Sequence, residues 1–226
     1  MIPAWAKHIV GIDFGYNHPF AAVHIAADMN DPILGVTRGA HVWVLNSFRM
    51  ERGIIGQHVD RIHEMTGGAR VPISWPHDGN VHDKNSGWAL SDLYRDKGAN
   101  MLKGHALNHG TTNFQVLPSI EELRQMMLDQ TITIDPCNRE LIDELRNYHR
   151  DTDFRIVKLV DDLVSALRYA LMMRRAGKPL DQCQGEGFGN RPRAHQQPMA
   201  RAIDPRQRFA KGSANHPDGS YDLFSV

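Results

Sequence analysis

The stretch His8-Ile9-Val10-Gly11-Ile12-Asp13-Phe14-Gly15 governs how the rest of the chain is read. It is a short apolar run that stops at an acid and a glycine, the pattern of a buried strand delivering a carboxylate to its end. Two further runs follow, Phe20 to Ala27 and Ala40 to Phe48, the second partly alternating and rich in β-branched residues. Their connections are short and carry Gly, Pro, Asn and Asp, as hairpin turns do. Together they predict three consecutive antiparallel strands.

Beyond residue 50 the period changes. Ile54, Ile55, His58, Val59, Ile62 and Met65 recur at helical spacing, and Gly67-Gly68 closes the segment. Val71 to Trp75 reads as a fourth strand running into Pro76-His77-Asp78-Gly79, Gly87 to Lys97 as a helix, and Met101 to Leu107 as a short strand. Ser119-Ile120-Glu121-Glu122 matches a capping box ahead of Leu123 and Met126, predicting a helix start at Ser119. Asp135-Pro136 offers an N-cap and a proline at the first helical position. Arg155 to Leu159 reads as an extended lead-in. Asp161 or Asp162 then caps a last helix whose apolar face is Leu163, Leu167, Ala170 and Leu171, stopped by Gly177 and Pro179. The predicted class is α/β, a central mixed sheet flanked by helices.

The chain has 226 residues, 41% hydrophobic and 23% charged, enough for one sizeable domain and an appendage. Twenty-six basic residues balance twenty-six acidic ones, which excludes nucleic-acid binding through bulk positive charge and leaves local basic patches. Cys137 and Cys183 form no CxxC or CxxH pair, so neither a disulfide framework nor a structural zinc site is expected. No apolar run reaches the ~18 residues of a membrane span, and the first residues lack the apolar core of a signal peptide. From about Leu180 the composition turns to Gly, Pro, Gln and Arg. The expected division is a folded domain over residues 1–179 and a flexible arm over 180–226.

Three acidic positions fall at element ends, where side chains can share a cleft: Asp13 after the first strand, Asp78 after the fourth, and Asp161-Asp162 at the last helix. Taken alone, each has an ordinary explanation in turn chemistry or helix capping. Together, converging carboxylates repel unless a divalent cation neutralises them, and Mg²⁺ or Mn²⁺ prefers such oxygen ligands. Two ions about 3.5–4 Å apart stabilise the attacking and leaving oxygens in phosphodiester hydrolysis. The β-β-β-α-β-α order with an acid on the first strand is the outline of an RNase H-like fold.

With these blocks in view, the chain resembles the C-terminal nuclease domain of the large terminase subunit of tailed double-stranded DNA phages, closest to the headful-packaging branch. Gly11 to Pro19, Ile73-Ser74-Trp75-Pro76-His77-Asp78-Gly79, Tyr148-His149-Arg150 and Ile156 to Ala170 carry the likeness, which spans roughly residues 5 to 175. The resemblance implies a two-metal endonuclease that cuts concatemeric viral DNA. Asp13 would bridge both ions, Asp78 would be the second ligand and Asp162 the helix ligand, with Asp161 as the alternative register. Some relatives carry a further acid where this chain has Ser165. Implied partners are double-stranded DNA, an ATPase motor domain, the small terminase subunit and the portal protein, in the cytoplasm of a bacterial host. No Gly-x-x-x-x-Gly-Lys-Ser/Thr loop occurs, so the chain is expected to hydrolyse no ATP and to be an excised or separately encoded nuclease unit.

DNA contact is expected from Lys84, Arg95, Lys97, Lys103, Arg146, Arg150 and the arginine-rich arm, through phosphates and without base specificity. His77 and His82 flank Asp78 as candidate phosphate contacts. Trp75 and Trp88 are expected in the core. The competing readings are a portal or motor docking module with weak or absent cleavage, another RNase H-like nuclease such as a junction resolvase or transposase, and a kinase-like ATPase. The last needs a second lobe for which the chain has no room.

Overall fold

The computed structural model describes residues 1–15, 18–28, 41–82, 87–108, 115–148 and 160–183. Three strands open the chain: β1 (Lys7–Asp13), β2 (Phe20–Asp28) and β3 (His41–Met50). They pair antiparallel in sequence order, with one irregularity between His24 and Ile25. β4 (Ile73–Ser74) adds parallel to β1, and β5 (Ile132–Ile134) adds parallel to β3. The mixed sheet therefore runs β4-β1-β2-β3-β5.

Pleating gives β1 and β2 two different faces. Ile9, Ala21, Val23, Ile25 and Ala27 bury against Leu123 of α3 (Val116–Leu128), Leu141 of α4 (Arg139–Asn147) and the apolar side of α5 (Asp162–Met172). Val10, Ile12, Phe20 and Ala22 bury on the other side against Val59 and Ile62 of α1 (Ile55–Met65), Tyr94 of α2 (Leu90–Asp96) and Trp75. The strand runs are nearly continuous in apolar residues because both faces are covered.

Four expectations need revision. The strand expected over Met101 to Leu107 reduces to one bridge, Ile73 to Met101. The chain there follows β4 through scattered bonds, Leu102 N to Ile73 O at 2.9 Å and Ala106 N to Trp75 O at 2.7 Å. The capping box at Ser119 is not one, since α3 begins at Val116 and Ser119 Oγ bonds the Val116 carbonyl at 2.8 Å. Pro118 sits in that first turn, where its missing N–H costs nothing. Asp135 caps a turn rather than a helix: its carboxylate accepts from Cys137 N at 2.9 Å, and α4 starts after Asn138. The edge strand β5 adds to the expected set, being only three residues long.

The packed part continues past Pro179. His8 and Lys178 exchange backbone bonds, and a 3₁₀ turn over Leu180–Cys183 buries Cys183, whose carbonyl accepts from Arg70 N at 2.8 Å. The extended lead-in over Arg155 to Leu159 and the arm beyond Cys183 lie outside the described residues. Among the described residues, no helix is long and apolar enough to cross a membrane.

Candidate functional site

Asp13 ends β1 on the face that meets α5. Two residues earlier, Gly11 lies against that helix so closely that an added Cβ would overlap the Ala166 carbonyl and the Ala170 backbone. The chain after α5 returns to pair Lys178 with His8 at the start of β1. Helix and strand therefore run in opposite senses, and the first turn of α5, with Asp161 and Asp162, comes to the Asp13 end. β4 runs beside β1 with Gly11 opposite Ser74, so the turn after it brings Asp78 to the same end. Ser74 Oγ fastens β4 to α5 by donating to the Tyr169 carbonyl at 2.7 Å.

The electrostatics agree with this convergence. The Asp13 carboxyl is pushed up to about 7, first by burial and then by the negative charge of Asp162, Asp161 and Asp78. Arg168 opposes that shift. Asp162 is raised as well, by burial and by Asp161, against the pull of Arg49 and His18. All four aspartates singled out in the sequence are thus electrostatic neighbours. Among the described residues, no three His, Cys, Asp or Glu side chains form a ready-made metal cage. The donor set still suits a hard divalent cation, being oxygen-only, anionic and under-neutralised.

Several contributors were not visible in the sequence. Glu144 of α4 is 5% exposed, and its Oε2 accepts from Leu163 N at 2.9 Å and Val164 N at 3.1 Å. These are free amides of the first turn of α5, so a remote glutamate caps the helix. The expectation that Asp161 or Asp162 does so is corrected: Asp161 holds the N-cap position without a side-chain cap bond. The Asp161 side chain is thus not spent on capping. Burial raises the Glu144 carboxyl to about 7, against its two amide bonds. Arg49 of β3 lies 3.5 Å from Glu144 Oε1 and 3.5 Å from Glu140.

Tyr169 stands seven residues after Asp162, on the same side of α5. Burial and then the charges of Asp13 and Asp78 raise its phenol to about 12, placing the hydroxyl within reach of their fields. The neighbouring Arg168 is 2% exposed, donates from Nε to Ser119 Oγ at 2.8 Å and lies over the Tyr169 ring. Ser119, expected as a cap, is thus a partner of a buried cation.

The family follows from comparison with known proteins. Residues 10–174 match the family model described as the terminase RNaseH-like domain. The chain belongs to that family. Asp13, Asp78, Asp161 and Asp162 all fall within the matched terminase segment. The large terminase subunit of Salmonella phage P22 is 34% identical over 165 residues, 72% of this chain and 30% of that protein. That of Enterobacteria phage LP7 is 34% identical over 164 residues, 72% of this chain and 32% of that protein. This terminase domain thus spans about a third of the length of the curated relatives it matches. The solved P22 large terminase nuclease domain superposes with a TM-score of 0.70 at 29% identity, covering 82% of this chain and 90% of that one. A large terminase from a thermophilic bacteriophage, at 15% identity, TM-score 0.55, and 76% and 41% coverage, shares the fold.

Of the expected DNA contacts, Arg95 is committed inward, with Nη2 on the Leu102 carbonyl at 2.6 Å and its guanidinium over Trp75. Arg146 and Lys97 pair with Asp143 and Asp96, at 3.4 and 3.5 Å, and Lys103 is exposed. Lys84, Arg150 and the arm are outside the described residues. Trp75 is buried as expected, whereas Trp88 is 52% exposed.

Proposed function

We propose that this domain is a divalent-metal-dependent endonuclease that cuts concatemeric double-stranded viral DNA during genome packaging, of the headful type. One observation carries this reading: partly buried Asp13 ends β1 within the fields of Asp162, Asp161 and Asp78, and burial and those charges push its carboxyl up to about 7. Such an arrangement destabilises the metal-free fold and is relieved by cations.

Asp13, Asp78 and Asp162 would hold Mg²⁺ or Mn²⁺, two ions in the full site, with Asp161 as the alternative helix ligand. Divalent ions at this place supply charge neutralisation for the scissile phosphate and acidify the attacking water. The remaining roles belong to the chain. Asp13 presents its carboxylate from a rigid strand, so a cation held there would have a fixed place. Asp162 faces it from the first turn of a helix whose amides are already satisfied by Glu144. Burial and the charges of Asp13 and Asp78 keep the Tyr169 phenol protonated beside the site. Exposed Asp78 closes the site on its solvent side.

The substrate is reached through phosphate contacts, so little sequence preference and a steep salt dependence are expected. The ATPase motor, the small terminase subunit and the portal are its proposed partners, and the host cytoplasm its place of action. The domain alone hydrolyses no ATP. The test is incubation with supercoiled plasmid and Mg²⁺, Mn²⁺ or EDTA, beside Asp13→Ala. Nicking and linearisation that require metal and vanish in the variant support the reading. Cleavage that persists in EDTA or in Asp13→Ala overturns it.

A further inference from the structure

We propose that Glu144 is the positioning residue of the metal site, fixing the place of Asp162 by holding the first turn of α5 from a neighbouring helix. The inference rests on the metal-site reading above and adds a residue to it.

The first amides of a helix have no partner within it and are ordinarily satisfied by a side chain just upstream. In α5 that local solution is absent, since Asp161 makes no side-chain cap bond. Glu144 lies nineteen residues before Leu163, so the bond ties two separate helices together. Both carboxylate oxygens are engaged. Oε2 takes the Leu163 and Val164 amides, and Oε1 faces Arg49 Nη1 at 3.5 Å. Arg49 extends from β3 and also reaches Glu140 at 3.5 Å, which links the sheet and α4 to the helix end.

Asp162 directly precedes the two capped residues. A shift of the Leu163 and Val164 amides therefore moves the Asp162 backbone with them. A carboxylate at this helix end also fills the spot where an anion would otherwise settle. Asp161, which holds the N-cap position where an aspartate ordinarily caps its own helix, makes no such bond here. Glu144 thus fixes the helix turn that carries Asp162.

The proposal ranks substitutions in an order that a ligand role would reverse. Glutamine reaches as far as glutamate and accepts hydrogen bonds through its amide oxygen. Aspartate keeps the charge and is one methylene too short. Mn²⁺ binding to metal-free protein is measured by calorimetry for wild type, Glu144→Gln, Glu144→Asp and Glu144→Ala, with Asp13→Asn as a reference. Amide exchange at Leu163 and Val164 is followed in the same proteins without metal.

The expected result is Mn²⁺ affinity within about fivefold of wild type for the glutamine variant, whose neutral bonds are weaker but present. The aspartate and alanine variants lose about 10–100-fold, as the loss of a supporting partner does, and exchange both amides faster. A folded glutamine variant that binds as poorly as alanine overturns the proposal, as does an aspartate variant that outperforms glutamine. Unchanged amide exchange in the alanine or aspartate variant also overturns it. Wild-type protein that binds no Mn²⁺, or that binds it as well with Asp13→Asn, overturns the metal reading itself. The exchange data then still report whether Glu144 caps α5.

Discussion

The two faces of the sheet bury ionisable groups in opposite ways. On the α5 face, Asp13 is held among other carboxylates and raised to about 7. On the opposite face, histidines are held neutral: burial drives His24 down to about 3, helped by His8, and His58 down to about 4. Those histidines have partners close by. His8 Nδ1 and His24 Nε2 are 3.0 Å apart, and His58 Nδ1 is 2.7 Å from the Tyr94 hydroxyl with its ring stacked on Phe20. A buried polar group with a neutral partner is a structural part. A buried charge crowded by like charges points to something the chain itself does not supply.

That contrast breaks most readily at Asp13. Asp13→Asn is expected to cut metal-dependent plasmid cleavage by more than about 100-fold, beyond the ~10–100-fold that loss of an outer partner costs. In EDTA at pH 8 the same variant should melt at a higher temperature than wild type, because one repelling charge is gone. A lower melting temperature would show that the carboxylate is structural, like the histidines.

Gly11→Val probes the joint between β1 and α5. Its side chain would meet the α5 backbone at Ala166 and Ala170. A loss of about 3 kcal/mol in urea unfolding is expected, the upper part of the range for overpacking. A loss under about 1 kcal/mol, below that range, would mean that α5 can step away from β1.

The pH dependence sharpens the comparison, because the two faces act with opposite sign. Between about pH 4 and 7, native Asp13 binds more protons than its unfolded counterpart, so its contribution to stability falls as pH rises. His24 and His58 do the reverse: the unfolded state binds more protons from their folded values of about 3 and 4 up to 6.5, so stability falls as the medium is acidified. In EDTA, the stability of Asp13→Asn relative to wild type should therefore grow from about pH 4 to 7 and then level off. A constant difference, measured by urea titration at each pH, would remove Asp13 from the titrating set. The smallest effect is expected from Tyr94→Phe, which breaks the bond to His58 and costs about 1 kcal/mol. Plasmid cleavage should be unchanged, and any fall in rate would connect the aromatic face to the site.

The first three strands are legible in the sequence because their apolar runs and turn residues are local signals, and Asp13 is legible as the acid that ends one. Asp78 and Asp162 stand out by the same logic of element ends. Glu144 is not legible. It reads as an ordinary helix acid, and its partners Leu163 and Val164 lie across residues 149–159, so only the tertiary structure joins them. Ser119 shows the opposite failure, a strong local motif overruled because Pro118 fits the first turn of a helix that begins upstream. β5 is three residues long, Ile132-Thr133-Ile134, too short to show a period. Truncation after Cys183 is expected to leave plasmid cleavage intact.

The contact at Gly11 has a bearing on how this domain can vary. Where the strand meets the helix, backbone lies on backbone, with no bulky side chain as a spacer. The gap between Asp13 and Asp162 is consequently gauged by the peptide chain itself, in the way a machined shoulder sets a clearance without a shim. The working dimension of the domain is kept by its smallest residue.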